Sequence, residues 1–471
     1  MKRLTIEPVS RIEGHAKITI QLNDAGQVDN AELHVTQVRG FEKLTEGRPY
    51  YEMPGITARI CGICPISHLL ASAKACEAIM AVRIPPAAQR LRELIHCAQF
   101  VQSHALSFFY LSSPDLILGM DAYPATRNVL GIIQSHPELA RDGIELRKFG
   151  LQIIETLGQE RVHSSWIVPG GVKSPMTPAM RDKILAELPH AKEIAERTLQ
   201  FFKSEAEAFK DDIEKFGCFP TMYLGMVNAR GDLRLYDGNV RFRGADDAIV
   251  RDQIPSDEYA DVISEATLRN SYLKAPFYKP LGVEGVYRVG PLARLNVADQ
   301  CGTPKADLEL VNFRQRYGKP AHSAFLYHHA RLIEIVYALE RIEMLLADEH
   351  TVDQHVRATA GVNSLEGVGM IEAPRGVLIH HYKVNSEGAI TWANLIVATG
   401  HNNLAMGRSV KQVATEYVHG EKIEEGMLNR VSAVVRAYDP CLSCSTHADG
   451  TIAMHVRLLS AEGRVLDEIC R

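Results

Sequence analysis

No uninterrupted apolar run of about 18 residues occurs in the 471-residue sequence, so no membrane-spanning helix is expected. The opening MKRLTIEPVSRIEGH has two early basic residues, but Glu7, Pro8 and Arg11 break any apolar core of an export signal, and the expected location is the cytoplasm. A basic stripe is also missing. The 52 lysines and arginines and 57 acidic residues are spread along the chain with a formal net charge of -5, which excludes the phosphate-neutralising surface that nucleic acid requires. There is no low-complexity tract, fixed-period repeat or flexible linker, so one multi-lobed unit is the simplest organisation. There is no Walker A loop, and EGVGMIE at 366–372 has only the first half of a dinucleotide-binding glycine pattern; any nucleotide would bind another subunit. The nine cysteines, odd in number and unevenly scattered, argue against a disulfide framework and for reduced thiols.

The 46% of hydrophobic residues can build one large core or two adjoining ones. HAKITIQL and NAELHVTQV alternate with period two around the turn residues NDAGQVD, which predicts a β-hairpin. The double proline of RIPPAAQR starts a long helix through LRELIHCAQFVQSHALSFFYL. Further helical periodicity covers about 137–157, 178–216 and 321–347, the last with i, i+4 charge pairs on a polar side. Residues 217–308, rich in glycine, proline and aspartate, read as a lobe of loops and strands. GVLIHHYKVN followed by GAITWANLIVATG reads as a hairpin. The fold class is α+β, mainly α: a bundle core of long central helices with peripheral β-hairpins and a loop-rich lobe.

Four of the cysteines form two similar pairs at opposite ends, Cys61 and Cys64 in RICGICPISH and Cys441 and Cys444 in DPCLSCSTH. The two sulfurs of a C-x-x-C can face one way from a turn or a helix N-terminus, where N–H groups favour thiolate. Soft thiolates select zinc, iron-sulfur, or nickel with iron. A structural zinc on all four sulfurs is the leading bland alternative. It explains neither the arginine and histidine around the first pair nor the aspartate-proline before the second. A thioredoxin-like redox pair is weaker, because neither C-x-x-C follows a βαβ pattern. Cys76, Cys97, Cys218, Cys301 and Cys470 are isolated and read as small apolar residues, and the doublets His328–His329 and His380–His381 as structural.

Arg59, Cys61, Gly62, Cys64 and His68 follow an R-x-C-G-x-C-x-x-x-H pattern, and 439–447 a D-P-C-x-x-C-x-x-H pattern. With RIEGH at 11–15, RGFEK at 39–43 and EAPRG at 372–376, in this order, the chain resembles the large subunit of nickel-iron hydrogenases, most closely the soluble bidirectional NAD-reducing type. The resemblance runs from the first residues to the last.

That resemblance implies reversible heterolytic cleavage of H2 to protons and electrons at a nickel-iron centre. By the family's rule, Cys61 and Cys441 bind nickel terminally, and Cys64 and Cys444 bridge nickel to iron. The iron carries carbon monoxide and cyanide, with Thr399 as hydroxyl donor to a cyanide; Ala398 stands where the family has a proline. Arg375 is the guanidinium above the metals, Glu13 the proton gate, and Asp439 orients Arg375 or its surroundings. His68 hydrogen-bonds a bridging thiolate. Glu42, the carbonyl of Leu395 and His447 are the ligands of a magnesium ion. Asp115 is a further acidic neighbour.

No cysteine spacing remains for an iron-sulfur cluster, so electrons leave through another subunit. The resemblance makes that a small subunit with iron-sulfur clusters, joined to flavin and NAD diaphorase subunits, with a buried face near the first cysteine pair. The implied division is a catalytic unit over 1–447 and a C-terminal extension, 448–471, removed by a maturation endopeptidase; a terminal β-hairpin of the working protein is the alternative. Sulfhydrogenase-type and deazaflavin-linked large subunits are rivals within the class, and the complex I quinone-module subunit, which lacks the paired cysteines, is a structural rival outside it.

Overall fold

The computed structural model describes residues 2–419 and 424–446 together with the strands His455–Leu459 and Val465–Cys470. Four long helices make its middle: Pro86–Ala105, Pro137–Gly158, Pro178–Glu205 and Tyr327–Ala347. Pro86–Ala105 packs on Pro137–Gly158 and Tyr327–Ala347, and Pro178–Glu205 closes the ring against the same two. Three of the four start on proline, whose missing N–H costs nothing in a first turn. The expected helix through 178–216 instead ends at Glu205 and resumes as Lys210–Lys215, because Phe209 turns in to pack on Phe325 with ring centroids 5.2 Å apart.

Tyr327–Ala347 departs from its expected two-sidedness, since its charged residues Arg331 and Glu334 are buried. Arg294, from the helix Pro291–Val297, supplies the counter-charge and donates to both Glu334 oxygens at 2.5 and 2.7 Å. That helix lies in the stretch expected to be loops and strands, as do the short helix Tyr259–Val262 and the start of Pro304–Tyr317; the lobe otherwise matches, with a sheet of Met222–Val227, Asn239–Arg243, Ile249–Ile254 and Tyr287–Arg288.

Both predicted hairpins form, each widened to three antiparallel strands. Ala16–Leu22 and Val28–Val35 are joined by Lys2–Ile6. Gly376–Val384 and Ile390–Ile396 are joined by Glu366–Ala373, the half glycine pattern seen in the sequence. Its glycines serve packing. A Cβ on Gly369 would stand 1.9 Å from the Ala71 carbonyl oxygen, so only a bare backbone lets this strand lie on the helix Pro65–Met80. That helix follows the first cysteine pair directly, and Glu425–Ala437 leads to the second, so the fold delivers both to one place. His455–Leu459 and Val465–Cys470 pair antiparallel. Among the described residues no helix is long and apolar enough to cross a membrane.

Candidate metal centre

Cys61 ends a short 3-10 turn, Ala58–Ile60, in extended conformation, and Cys64 is the residue from which the helix Pro65–Met80 starts. The backbone N–H groups of Ile63 and Cys64 point at the Cys61 sulfur, 3.3 and 3.0 Å away, as the turn geometry of a C-x-x-C favours. The second pair follows Asp439, which adopts φ 52° and so turns the chain sharply out of the preceding helix. Residues 380 positions apart thus converge: the Cys61 sulfur lies 2.7 Å from that of Cys64 and 3.5 Å from that of Cys441. All four sulfurs of Cys61, Cys64, Cys441 and Cys444 fall within 4.8 Å of one another, buried and reduced.

Four thiols this close titrate as one group. Hydrogen bonds from Cys441, Cys444 and Cys61 hold Cys64 well below the ordinary thiol range. Hydrogen bonding to Cys444, Cys61 and Cys64 pushes Cys441 up, and burial pushes Cys444 up. The first negative charge is cheap and later ones are repelled, an arrangement that a soft cation relieves. The isolated thiols behave otherwise. Cys76, Cys97 and Cys301 are buried and pushed far up by burial, and Cys218 is part-buried; Cys470 lies where side chains are not described.

Around the sulfurs stand charged groups with fixed partners. Arg375 is buried, donating from Nε to the Asp439 carbonyl at 2.6 Å, from Nη2 to Asp439 Oδ1 at 3.1 Å and from Nη1 to Ser103 Oγ at 3.4 Å. Burial works against its charge, but Asp439 and the thiolates of Cys441, Cys64 and Cys61 outweigh that and hold it firmly cationic. Asp439 itself is raised by burial, partly offset by Arg375 and Arg331, and its second oxygen has no protein partner among the described residues. Thr399 Oγ1 accepts the Cys441 N–H at 2.9 Å, leaving its own O–H to donate elsewhere.

The N-terminal segment seals the second pair. Glu13 bridges Cys441 in parallel fashion, its carbonyl accepting from Leu442 N–H at 3.1 Å. Its carboxylate accepts the Ser443 N–H at 3.1 Å and the Ser443 hydroxyl. Gly14 permits this approach: its φ is +90°, and a Cβ there would meet Leu442 Cβ at 2.8 Å and Ser443 N at 2.9 Å. Arg11, two residues before Glu13, donates to Asp115 at 2.5 Å, and Asp115 also takes Arg436 at 2.8 Å. Asp115 is therefore the clamp between RIEGH and the helix that leads to the second pair.

Glu42 lies elsewhere, at Leu395, whose N–H donates to Glu42 Oε1 at 2.9 Å. Lys274 reaches Glu42 at 3.5 Å and Glu265 at 3.7 Å. His447, the third residue of that expected set, lies outside the described residues.

His68 is buried with Nδ1 3.1 Å from His380 Nε2, and its Nε2 has no hydrogen-bond partner among the described residues. His380, read from sequence as structural, therefore adjoins the centre. Ser103, Arg331 and Ser443 also went unread. His380 was findable, because His380 and Tyr382 are i, i+2 on one strand and share its inward face.

The family profile described as "Nickel-dependent hydrogenase" matches residues 39–136 and 241–447, and one described as "HoxL-like" matches 3–38. One component of the F420-non-reducing hydrogenase vhc of Methanococcus voltae is 43% identical over 456 residues, 96% of either sequence. The NAD-reducing hydrogenase HoxS subunit beta of Cupriavidus necator is 40% identical over 488 aligned positions, all of both chains. Among solved structures, an NAD+-reducing [NiFe]-hydrogenase in the H2-reduced state superposes with a TM-score of 0.92 at 42% identity, covering 95% of this chain and all of that one. A Ni-Fe-Se hydrogenase of D. vulgaris Hildenborough, at 23% identity, shares the fold with a TM-score of 0.77 over 95% of this chain and 100% of that one.

Proposed function

The chain belongs to the nickel-dependent hydrogenase family as a large, catalytic subunit, an oxidoreductase, and from that premise we propose that it works in an NAD-reducing complex in the cytoplasm. The carrying observation is the buried cluster of four thiols from both ends of the chain. The donor set fits a nickel-iron centre: four soft sulfurs, a fixed guanidinium at Arg375, and two buried polar atoms, Asp439 Oδ2 and His68 Nε2, with no hydrogen-bond partner among the described residues. When bound, such a centre supplies heterolytic cleavage of H2 to protons and electrons.

In this reading Cys61 and Cys441 hold nickel terminally, Cys64 and Cys444 bridge it to iron, and carbon monoxide and cyanide complete the iron, with the Thr399 hydroxyl donating to a cyanide. Thr399 already touches the Cys441 backbone, which supports that placement. Arg375 presents a permanent positive charge to the reacting H2, and Asp439 fixes its plane through two hydrogen bonds. Glu13, seated on Ser443 between the two C-terminal cysteines, takes the proton away from them. His68 would hydrogen-bond a bridging thiolate once the metals are bound. Glu42, the Leu395 carbonyl and His447 take magnesium; the approach of Glu42 to Leu395 supports this, as does the hard oxygen of Glu265 nearby, and the lysine between them, Lys274, then pairs with Glu265.

Residues 1–447 form the catalytic unit and 448–471 a maturation peptide that an endopeptidase removes. The family match ends at residue 447, and the 5% of the chain outside the fit to the NAD+-reducing enzyme equals the share of those 24 residues in 471. A small subunit with iron-sulfur clusters docks at the first pair, where Gly62 and Arg59 are exposed beside buried Cys61, and where Leu44 and Tyr51, each 61% exposed, leave apolar surface to cover. Diaphorase subunits with flavin carry the electrons to NAD. A second reading, a large subunit of the F420-non-reducing type, is favoured by the 43% identity to the Methanococcus voltae protein.

Elemental analysis of the purified complex should give nickel equimolar with the chain and iron beyond it, with infrared bands of carbon monoxide and cyanide. Stoichiometric zinc without nickel would overturn the assignment. H2-dependent reduction of NAD+ by the same complex separates the two readings. Intact mass of the active chain should end at His447; a terminus at Arg471 in fully active enzyme would refute processing.

A further inference from the structure

Arg375 leaves the main chain at the turn 374–375, which joins the strands Glu366–Ala373 and Gly376–Val384 with Ala373 opposite Gly376. A two-residue hairpin turn fits the twist of its strands when its first central residue has a positive φ, and Pro374, whose ring fixes φ at about −65°, excludes that. Local turn chemistry therefore does not set this loop. Arg294, wholly buried on the helix Pro291–Val297, donates from Nη1 to the Ala373 carbonyl at 3.0 Å and from Nη2 to the Pro374 carbonyl at 2.9 Å. Gly290, just before that helix at φ +90°, lies so near that a Cβ on it would stand 2.9 Å from the Arg375 carbonyl oxygen. The turn is gripped from outside at both places.

A guanidinium has five N–H donors, and Arg294 uses them all. Besides the two carbonyls, Nε and Nη2 hold the Glu334 carboxylate at 2.5 and 2.7 Å, and Nη1 reaches Glu372 at 2.7 Å. Glu334 fixes the plane of the fork, and the fork fixes the two peptide groups from which Arg375 springs. At its other end Arg375 is held by Asp439. We propose that Arg294 is a positioning residue for H2 cleavage: its grip on the Ala373 and Pro374 carbonyls sets where the Arg375 guanidinium stands beside the four sulfurs. This rests on the reading of Arg375 as the group presented to H2.

A buried ion cluster that serves stability alone is the plain alternative. Such a cluster is a poor stabiliser, because its charges lose their water and well-packed apolar side chains of similar volume often do as well. Here two carboxylates share one guanidinium, and burial pushes Glu372 up to about 7 in spite of Arg294. The carboxylates take three of the five donors. The other two, which no ion pair calls for, go to consecutive carbonyls of one turn, and that turn carries Arg375.

The test is a double-substitution cycle on the purified complex, with Arg294→Lys, Arg375→Lys and both together, reading nickel content, kcat and KM for H2. Lysine keeps the positive charge between Glu334 and Glu372, but its three donors go first to the carboxylates, so the carbonyls of the turn are released. Arg294→Lys should keep its nickel and lose kcat, by up to about 100-fold for a displacement of about 1 Å, with KM unchanged. In the Arg375→Lys background the same substitution should cost less, by more than the factor of about 2 within which independent sites add, because no guanidinium is left to place. Losses equal within that factor in the two backgrounds, with Arg375→Lys itself impaired, overturn the proposal and leave the reading of Arg375 standing. An unchanged kcat in Arg294→Lys does the same. Full turnover in Arg375→Lys would refute that reading and take the proposal with it. If Arg294→Lys loses its nickel, Gly290→Ala decides by the same criteria, because its Cβ presses on the same turn with Arg294 intact. Loss of nickel there too would mark a scaffold and overturn the proposal.

Discussion

Replacing Cys441 with serine should leave a folded chain that holds no nickel and turns over no H2. The effect should exceed the loss of about 10–100-fold in metal affinity that follows removal of an outer partner, because a donor atom itself is exchanged. A serine oxygen is a hard donor whose proton is far harder to remove than that of a thiol, and it replaces a soft thiolate. The scaffold should survive. Glu13 reaches the segment through the backbone of Leu442 and the backbone N–H and hydroxyl of Ser443, and Arg375 through Asp439, none of which needs the sulfur. Nickel content should fall to background while circular dichroism stays that of the wild type. Cys97→Ala is the matched control, a buried thiol outside the four-sulfur cluster, and it should keep both nickel and turnover. Retention of stoichiometric nickel in Cys441→Ser would show that the metal is held elsewhere.

The centre was legible because its donors come in rigid spacings. A C-x-x-C on a helix start presents its sulfurs whatever surrounds it, and the two pairs announced themselves before any contact was known. The hairpins at 16–35 and 376–396 were legible from period-two alternation, which one buried face imposes. Their third strands were not, since Lys2–Ile6 and Glu366–Ala373 are placed by partners far away in the chain or by close packing on a helix. Arg331 and Glu334 misled for a related reason. Spacing on a helix cannot distinguish a solvated charge from one met in the interior by Arg294. His380 was discounted as half of a doublet, although the strand that carries it sends His380 inward to His68 and leaves His381 part-buried against Tyr259 and Glu366. Asp115, expected beside the acids, serves arginines instead, which only the fold could show.

Glu13→Gln should lower turnover in both directions by about 10²–10⁴-fold, the range for removing a positioned general acid-base group, while nickel content stays unchanged. The substitution is close to silent structurally. The amide oxygen of glutamine can go on accepting the Ser443 N–H, and the Ser443 hydroxyl can rotate to accept from the amide nitrogen, so the seat on the short helix Leu442–Ser445 is kept. What goes is the capacity to bind and release a proton. Since H2 is uncharged and makes no hydrogen bond to a carboxylate, the loss should fall on kcat and leave KM for H2 near its wild-type value. Electron delivery can be set aside by assaying H2–D2O isotope exchange, which needs proton traffic at the centre but no electron acceptor; exchange should fall by the same factor as turnover. Glu13→Asp, which retains a carboxyl group at a shorter reach, should recover part of the rate. Full exchange in Glu13→Gln with the centre intact would mean that protons leave by another route. The bond between Glu13 and Ser443 would then be a latch that holds the N-terminal segment against the second cysteine pair and nothing more.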